Sequence, residues 1–146
     1  MANEYRDIHG SLLRYAADFA AEFGLTALNL DAYANPTEWP TGDFIGVAEF
    51  EMDTEMPFRM ATLALVISTR DDTNLMRMGA LINTLNDRLS PTRFIQIYDL
   101  DTGLSRGRLS VLNGTRVGKI VRTESQPARP FFFSLQADQT VRLPQG

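Results

Sequence analysis

Apolar residues recur every three or four positions near the start of the chain. Between residues 4 and 23 they form one stripe of a helix, which Gly24 ends in the usual position. Its members are Ile8, Leu12, Tyr15, Phe19 and Phe23. The same spacing predicts a second helix over 74–89, capped by Asp72 or Thr73. Each helix has one apolar face, which must pack against another element.

Alternating and continuous apolar runs predict strands in the rest of the chain. Residues 44–52 alternate, so Phe44, Ala48 and Phe50 should share one face. Residues 58–68 are apolar on both faces, which is typical of a covered, central strand. We expect these two runs to form an antiparallel hairpin. Further strands are predicted at 25–30, 94–100, 108–112, 115–123 and 131–135.

Turn signals join these runs. Asn113-Gly114 is a strong hairpin signal, so 108–112 and 115–123 should pair with each other. Ser125 to Pro130 is expected to be a loop. The order of helix, strands, helix and strands predicts a single α+β domain over 1–146. Its sheet should be mostly antiparallel, with two helices packed on it.

A long loop is predicted between Asp31 and Asp43, because Pro and Gly interrupt it repeatedly. Loops of this length in a compact domain are often functional. Trp39, the single tryptophan, lies in it. Its ring either folds back on the domain as a lid or anchors an interface, since tryptophan is frequent at binding hot spots.

Composition excludes several kinds of chemistry. The chain has no cysteine and one histidine, His9, so no thiolate or multi-histidine metal site is expected within one copy. No metal or cofactor is expected. A net charge of −4 argues against a protein that grips nucleic acid. No run approaches a membrane span, and the first residues lack a signal-peptide pattern, so the protein is expected to stay where it is made.

Arginine supplies almost all of the positive charge, with Lys119 the only lysine. Either the genome is GC-rich or arginines are used at interfaces, where their planar group pairs with carboxylates. The stretch 106–122 is basic in an acidic chain. We expect it at an interface. The candidate interface residues are Trp39, Arg106, Arg108 and Arg116.

Two short motifs resemble catalytic ones. Gly103 to Gly107 spells G-x-S-x-G, but strands are predicted on both sides and the histidine lies upstream, unlike a nucleophile elbow. Asp101-Thr102-Gly103 matches the aspartic-protease triplet, in which two copies share a proton. Leu104 then stands where a small residue is usual. We expect a turn in both cases and no enzyme activity.

Glu49 and Glu51 form a carboxylate pair on the polar side of a predicted strand. Such residues are usually solvated. The same positions could instead meet arginines of a neighbouring subunit.

The order of elements resembles that of the tail-terminator and neck proteins of long-tailed bacteriophages. The likeness is one of pattern and size over nearly the whole chain, without a motif that matches residue by residue. It rests on an N-terminal helix, the Trp39 loop, strands 44–52 and 58–68, helix 74–89, and strands that run to Phe131-Phe132-Phe133.

The resemblance implies a structural virion protein, made in the host cytoplasm. It implies a homo-oligomeric ring, usually of six copies, that ends the tail tube and joins it to the head. The partners would be tail tube and neck proteins, and DNA would pass through without specific binding. Alternatives are a baseplate or tube-end component, a small-molecule-binding bacterial α+β domain, or a dimeric hydrolase that uses Asp101.

Overall fold

Two helices pack on one mixed sheet. A computed structural model describes residues 4–53, 60–123 and 126–137. The helices are α1 (Glu4–Phe23) and α2 (Met76–Arg88). The strands are β1 (Thr26–Asn29), β2 (Phe44–Met52), β3 (Met60–Ser68), β4 (Phe94–Tyr98), β5 (Ser105–Val111), β6 (Arg116–Val117), β7 (Val121–Arg122) and β8 (Pro127–Ala137). The α+β prediction is therefore confirmed.

The sheet curls around α1. Its strand order is β1-β2-β3-β8-β5-β4, with β6 and β7 also paired to β8. All described pairs are antiparallel except β1 with β2. Helix α1 contacts β1 and β2 towards one edge and β4 at the other. Because one helix reaches both ends of the sheet, the strands must wrap partly around it.

The main core fills the space between the sheet and the two helices. Helix α1 contributes Ile8, Leu12 and Phe19 as predicted, together with Ala16 and Ala20. Tyr15 is only partly buried, and Phe23 is 37% exposed. Fewer of the large side chains of α1 are therefore buried than the sequence pattern suggests, and two alanines fill the remaining core positions of the helix.

The outer face of the sheet, turned away from both helices, carries a smaller cluster. Its buried members are Leu30, Phe44, Ala48, Ala64, Val66 and Ala128. The segment between β1 and β2 covers it and contains two short 3-10 turns, Leu30–Ala32 and Pro36–Glu38. This cover extends over only part of the outer face.

Strand β2 does not keep one face throughout. Ala48 pairs with Ala64 but Glu51 pairs with Thr62, so an extra residue is present, and Glu49 has a φ of 53°. Beyond this bulge, Phe50 packs against the main core instead of sharing the outer face with Ala48. The predicted single apolar face is therefore wrong, because a bulge reverses the alternation of side chains.

Asn113-Gly114 does not close a hairpin. Val111 pairs with Leu135 and Arg116 pairs with Phe132, so both sides of Asn113-Gly114 run along the same strand, β8. Between these two pairs lie four residues on this side, 112–115, and two residues on β8, 133–134. The dipeptide is thus part of an irregularity of two extra residues, and β5, β6 and β7 follow one another along β8. The predicted pairing of 108–112 with 115–123 is wrong.

Strand β8 is longer than predicted and central. It pairs with the whole of β3, from Met60 with Gln136 to Ser68 with Ala128. The loop predicted at 125–130 is wrong from Pro127 onwards, where the strand begins. The first two residues of the predicted strand 58–68 lie outside the described residues.

Helix α2 begins later than predicted. A 3-10 turn at Thr73–Leu75 precedes it, with Asn74 and Leu75 in the left-handed region. The Asp72 carboxylate accepts hydrogen bonds from the backbone N–H groups of Arg77 (2.9 Å) and Met78 (2.7 Å). Asp72 therefore caps the first turn, as one of the two predicted caps, although the helix starts at Met76.

Candidate interaction surface

Arg108 lies on the outer face at the β4 edge of the sheet. Its neighbours Leu109 and Val111 point into the main core, so Arg108 points away from the helices. Its guanidinium carbon is 4.7 Å from the centre of the Phe94 ring, and Phe94 is 54% exposed. Beyond β4 no described strand pairs. We call Phe94 and Arg108 the edge patch; both side chains are exposed.

Arg116 also lies on the outer face, stacked on an aromatic ring. It pairs across strands with Phe132 on β8, and its guanidinium carbon is 4.1 Å from the centre of that ring. Both residues line a groove of about 540 Å³ on the part of the outer face that the loop leaves open. We call this the outer groove.

The rim of the outer groove is acidic. Asp31, Glu49 and Glu51 line it opposite Arg116, and all three are exposed. The Asp31 carboxylate accepts hydrogen bonds from the backbone N–H groups of Glu49 (2.8 Å) and Phe50 (3.0 Å) at the bulge. Within the described residues, the carboxylates of Glu49 and Glu51 have no ion-pair partner. The groove therefore has a net negative charge with unused acceptors.

Arg106 has a different environment from Arg108 and Arg116. Its side chain is 8% exposed and forms a salt bridge with Asp7 of α1, which is 1% exposed. Because its guanidinium is paired with Asp7 inside the chain, Arg106 is not a surface residue of the described fold, in contrast to its prediction as an interface residue. The pair links the first turns of α1 to β5 and is structural in this position.

A small polar network surrounds this pair. The Asp7 carboxylate also accepts a hydrogen bond from the Leu100 N–H (3.2 Å). Ser11 donates to the Asp7 carbonyl (2.6 Å) and accepts from the Tyr98 N–H (2.8 Å). These bonds satisfy the backbone where β4 ends. They explain why polar residues occupy buried positions on an otherwise apolar helix face.

Trp39 packs on the outer cluster. Its ring meets Phe44 edge-on, with 6.1 Å between ring centres, and it is partly buried. This placement corresponds to the lid interpretation, with part of the ring still accessible. Gln126 holds the end of the loop: its amide accepts from the Gly42 N–H (3.0 Å) and donates to the Gly42 carbonyl (2.7 Å).

The two motifs that resemble catalytic ones lie at the β4–β5 connection. Ser105 is the first residue of β5, so its backbone is not a strand-to-helix elbow. Asp101 is exposed in a turn and forms an ion pair with Arg6 at 2.8 Å. The Asp99 carboxylate accepts from the N–H groups of Asp101 and Thr102, which stabilises that turn. The turn predicted at Asp101 is therefore confirmed, whereas the turn predicted for Gly103 to Gly107 is wrong from Ser105 onwards, where β5 begins.

Two other shallow pockets occur among the described residues. One, of about 460 Å³, lies between the end of α1 and α2 and includes the Asp43–Arg77 ion pair. The other, of about 480 Å³, lies beside Asp72 and Gln126. No three His, Cys, Asp or Glu side chains in residues 4–53, 60–123 and 126–137 are grouped to hold a metal ion. In neither pocket do the lining side chains form a recognisable nucleophile–base or acid–base arrangement.

His9 lies between aromatic rings. It stacks on Phe50, with 4.7 Å between ring centres. Its Nε2 atom is buried and has no hydrogen-bond partner among the described residues. Burial lowers the pKa of His9 below its usual value, and the Asp31 carboxylate opposes this shift. The folded chain therefore binds a proton on His9 less readily than the unfolded chain does.

This difference predicts that stability falls on mild acidification. Since the unfolded histidine takes up its proton near pH 6.5, stability should decrease as the pH drops below about that value. Urea unfolding at pH 7.0 and pH 5.5 measures the effect. His9→Gln should be less pH-dependent over this range, because His9 is the single histidine. Equal pH dependence in both proteins would contradict the assignment.

The described fold defines a class, α+β with a curled, mostly antiparallel sheet, and no more than that. A scan against family models and a search of curated proteins both find no match to the chain. Neither described helix is long and apolar enough to cross a membrane. The function is therefore argued from the surface itself.

Proposed function

We propose that the protein is a structural subunit of a phage tail or neck, which assembles with copies of itself into a ring. The ring, expected to contain six copies, would end the tail tube, join it to the head and let DNA pass. The observation that carries the self-assembly is the presence of two different exposed surfaces, the edge patch and the outer groove. Two unlike surfaces on one chain permit head-to-tail contacts, which close into a ring when the rotation allows it.

The properties of the edge patch support an assembly role. Arginine and aromatic residues are enriched at protein interfaces. The edge patch contains one of each, because the Arg108 guanidinium lies over the Phe94 ring. An exposed edge strand also risks uncontrolled pairing unless a partner covers it. A neighbouring subunit would cover β4 and bury Phe94.

The virion assignment rests on the resemblance described above, together with charge. A net charge of −4 would let an acidic lumen repel DNA weakly rather than retain it. Tail tube and neck proteins would be the neighbours above and below the ring. In this role the protein would need no cofactor and would carry out no reaction.

Mass photometry of the purified chain over a concentration series tests the proposal, with negative-stain images of the heaviest species. We expect closed rings with an open centre, whose mass gives the copy number. A strict dimer would contradict the ring and favour one of the alternatives, the small-molecule-binding domain or the hydrolase. A monomer at every concentration would contradict self-assembly of the isolated chain.

A further inference from the structure

The described sheet ends in two strands that each have one unpaired edge. In the strand order, β1 stands at one end and β4 at the other, and neither has a second neighbour among the described strands. The sheet curls around α1, which contacts both β1 and β4, and its two ends do not pair with each other. Each edge can therefore be covered by another molecule but not by the opposite end of the same sheet.

At β4 the pairing with β5 decides which backbone groups face the open edge. The Val111 N–H donates to the Arg93 carbonyl (2.8 Å), so Arg93 faces β5. Because the backbone groups of a strand alternate in direction, Ile95 also faces β5, where it pairs with a core residue. The N–H and C=O groups of Phe94 and Gln96 then point away from β5, towards the open edge.

The far end of β4 has the same alternation, but α1 closes the edge there. The Tyr98 N–H, two residues beyond Gln96, donates to the Ser11 hydroxyl on α1 (2.8 Å). Nothing among the described residues bonds to the outward backbone groups of Phe94 and Gln96. The open part of the β4 edge therefore consists of these two residues.

At β1 the open edge consists of Ala27 and Asn29. The Thr26 N–H donates to the carbonyl of Asp43, just before β2, at 3.0 Å, so Thr26 faces β2. By the same alternation Leu28 faces β2, and the backbone groups of Ala27 and Asn29 face outward. On that side neither has a hydrogen-bond partner in the described part of the chain.

Neither end strand carries the usual protection of an open edge. Such edges normally contain charged residues or proline, which hinder pairing with other chains. The strands Thr26–Asn29 and Phe94–Tyr98 contain neither. The Phe94 side chain is moreover 54% exposed beside its open edge. Both edges are therefore suited to the addition of a strand from a partner.

Strand directions favour a particular partner for each edge. β1 is parallel to β2, and along the order β2-β3-β8-β5-β4 each strand is antiparallel to the one before it. An even number of reversals restores the direction, so β1 and β4 point the same way. A rotation about an axis roughly along these strands preserves that direction and brings β1 of the next copy parallel to β4. Pairing of two β4 edges would need a two-fold axis and would leave both β1 edges open.

We infer that β4 of one copy pairs in parallel with β1 of the next copy, so that the sheet continues from subunit to subunit. This inference deepens the proposed function and rests on it, because it names the contact that joins the subunits. In a closed ring every β4 and every β1 is covered, and no unpaired end of the sheet remains. Asp31, which lines the outer groove, lies two residues after β1, so this contact adjoins the acidic side of the groove.

Two proline variants block one edge each. Proline has no N–H and is tolerated on an edge strand where that N–H faces outward, so Phe94→Pro should block β4 and Ala27→Pro should block β1. The matched controls, Phe94→Ala and Ala27→Ser, keep the N–H. Each proline variant should associate with itself at least about tenfold more weakly than its control. Thermal unfolding of all four proteins checks that they are folded.

An equimolar mixture of the two proline variants tests whether the contact joins unlike edges. The intact β4 of the Ala27→Pro protein can pair with the intact β1 of the Phe94→Pro protein. The mixture should therefore form 1:1 dimers that grow no further, because both remaining edges are blocked. Analytical ultracentrifugation, at concentrations well above those at which the wild type assembles, measures these species.

Hydrogen exchange of the wild-type protein tests the same contact without a substitution, and it decides the question if a proline variant does not fold. The backbone amides of Ala27, Asn29, Phe94 and Gln96 should exchange slowly only in the assembled state. The amide of Ile95, which faces β5, should be protected in the monomer as well and is the internal control. Assembly without added protection of the four amides contradicts the contact.

The outcomes separate this contact from the proposed function. Dimers that form only in the mixture support the contact. An Ala27→Pro protein that still dimerises by itself contradicts it, as pairing of two β4 edges would. Wild-type rings without dimers in the mixture contradict the contact and leave the proposed function intact. Mixed dimers together with open wild-type chains support the contact and contradict the ring. A wild type that stays monomeric at every concentration contradicts the contact.

Discussion

Replacing Arg106 with leucine is expected to destabilise the fold by about 3–5 kcal/mol, because it removes the buried counter-ion of Asp7. Asp7 then keeps only the half-exposed Arg6, whose Nε atom lies 3.8 Å from the carboxylate. Leucine fills part of the space but offers no charge or hydrogen bond. Chemical denaturation at neutral pH measures the loss. The effect should appear in the unfolding free energy of the monomer, so it does not depend on assembly.

Arg116→Leu is the matched control. Arg116 is exposed and stacks on Phe132, so its removal should change the unfolding free energy by no more than about 0.5 kcal/mol. The double variant Asp7→Asn with Arg106→Leu should lose less than the sum of the two single losses, since no charge stays buried. Equal losses of unfolding free energy at Arg106 and Arg116 would show that the Asp7–Arg106 salt bridge does not stabilise the fold.

Replacing Phe131 with alanine is expected to cost about 3–5 kcal/mol, the range for removing a buried phenylalanine. Phe131 is fully buried at 0% exposure, and its ring centre lies 5.7 Å from that of Phe133. It pairs with Leu65 on one side of β8 and with Val117 on the other. The cavity would therefore lie in the middle of the sheet, where neighbours on both sides restrict collapse.

Phe94→Ala provides the comparison for Phe131→Ala. The same side chain is removed from a half-exposed position, so the monomer should lose about 0.5 kcal/mol or less. If Phe94 is an interface residue, its loss appears instead as weaker self-association in mass photometry. A large loss of monomer stability at Phe94, or a small one at Phe131, would contradict the packing described here.

The sequence predicts well those elements whose pattern is uninterrupted. Helix α1 has the predicted bounds of 4–23, since its apolar stripe is continuous and Gly24, with a φ of 70°, ends it. Strand β2 also has the predicted bounds. Its bulge was not predicted, because one extra residue at Glu49 leaves the composition of the strand unchanged. The Asp31 carboxylate, eighteen positions earlier, satisfies the amides that the bulge frees.

Long-range pairing limits the prediction elsewhere. Asn113-Gly114 has the local chemistry of a hairpin, yet β8 provides a continuous partner for the residues on both sides. A tertiary contact therefore overrides the local signal, and nothing within 108–123 reveals it. Proline at 127 and 130 likewise suggests a loop. Proline has no N–H to donate, but the Pro130 carbonyl accepts a hydrogen bond from the Gly118 N–H (2.8 Å), which keeps this part of β8 in the sheet.

The candidate surface was predictable only in part. Arg108 and Arg116 are exposed, and each stacks on an aromatic ring that the sequence does not identify. Arg106 follows the same basic pattern but is paired with Asp7, ninety-nine positions away. Its burial could have been suspected from Asp7 itself, which lies next to Ile8 on the apolar stripe of α1.

The late position of β8 in the chain affects how the protein is made. β3 and β5 are synthesised before the strand that separates them in the sheet, so neither has its final neighbour until β8 leaves the ribosome. At 5–20 residues per second, the 59 residues from Ser68 to Pro127 take roughly 3–12 s. During that interval the apolar edge of β3 is uncovered in the nascent chain. A chaperone that binds extended apolar segments would therefore act on this protein before the sheet closes, and not afterwards.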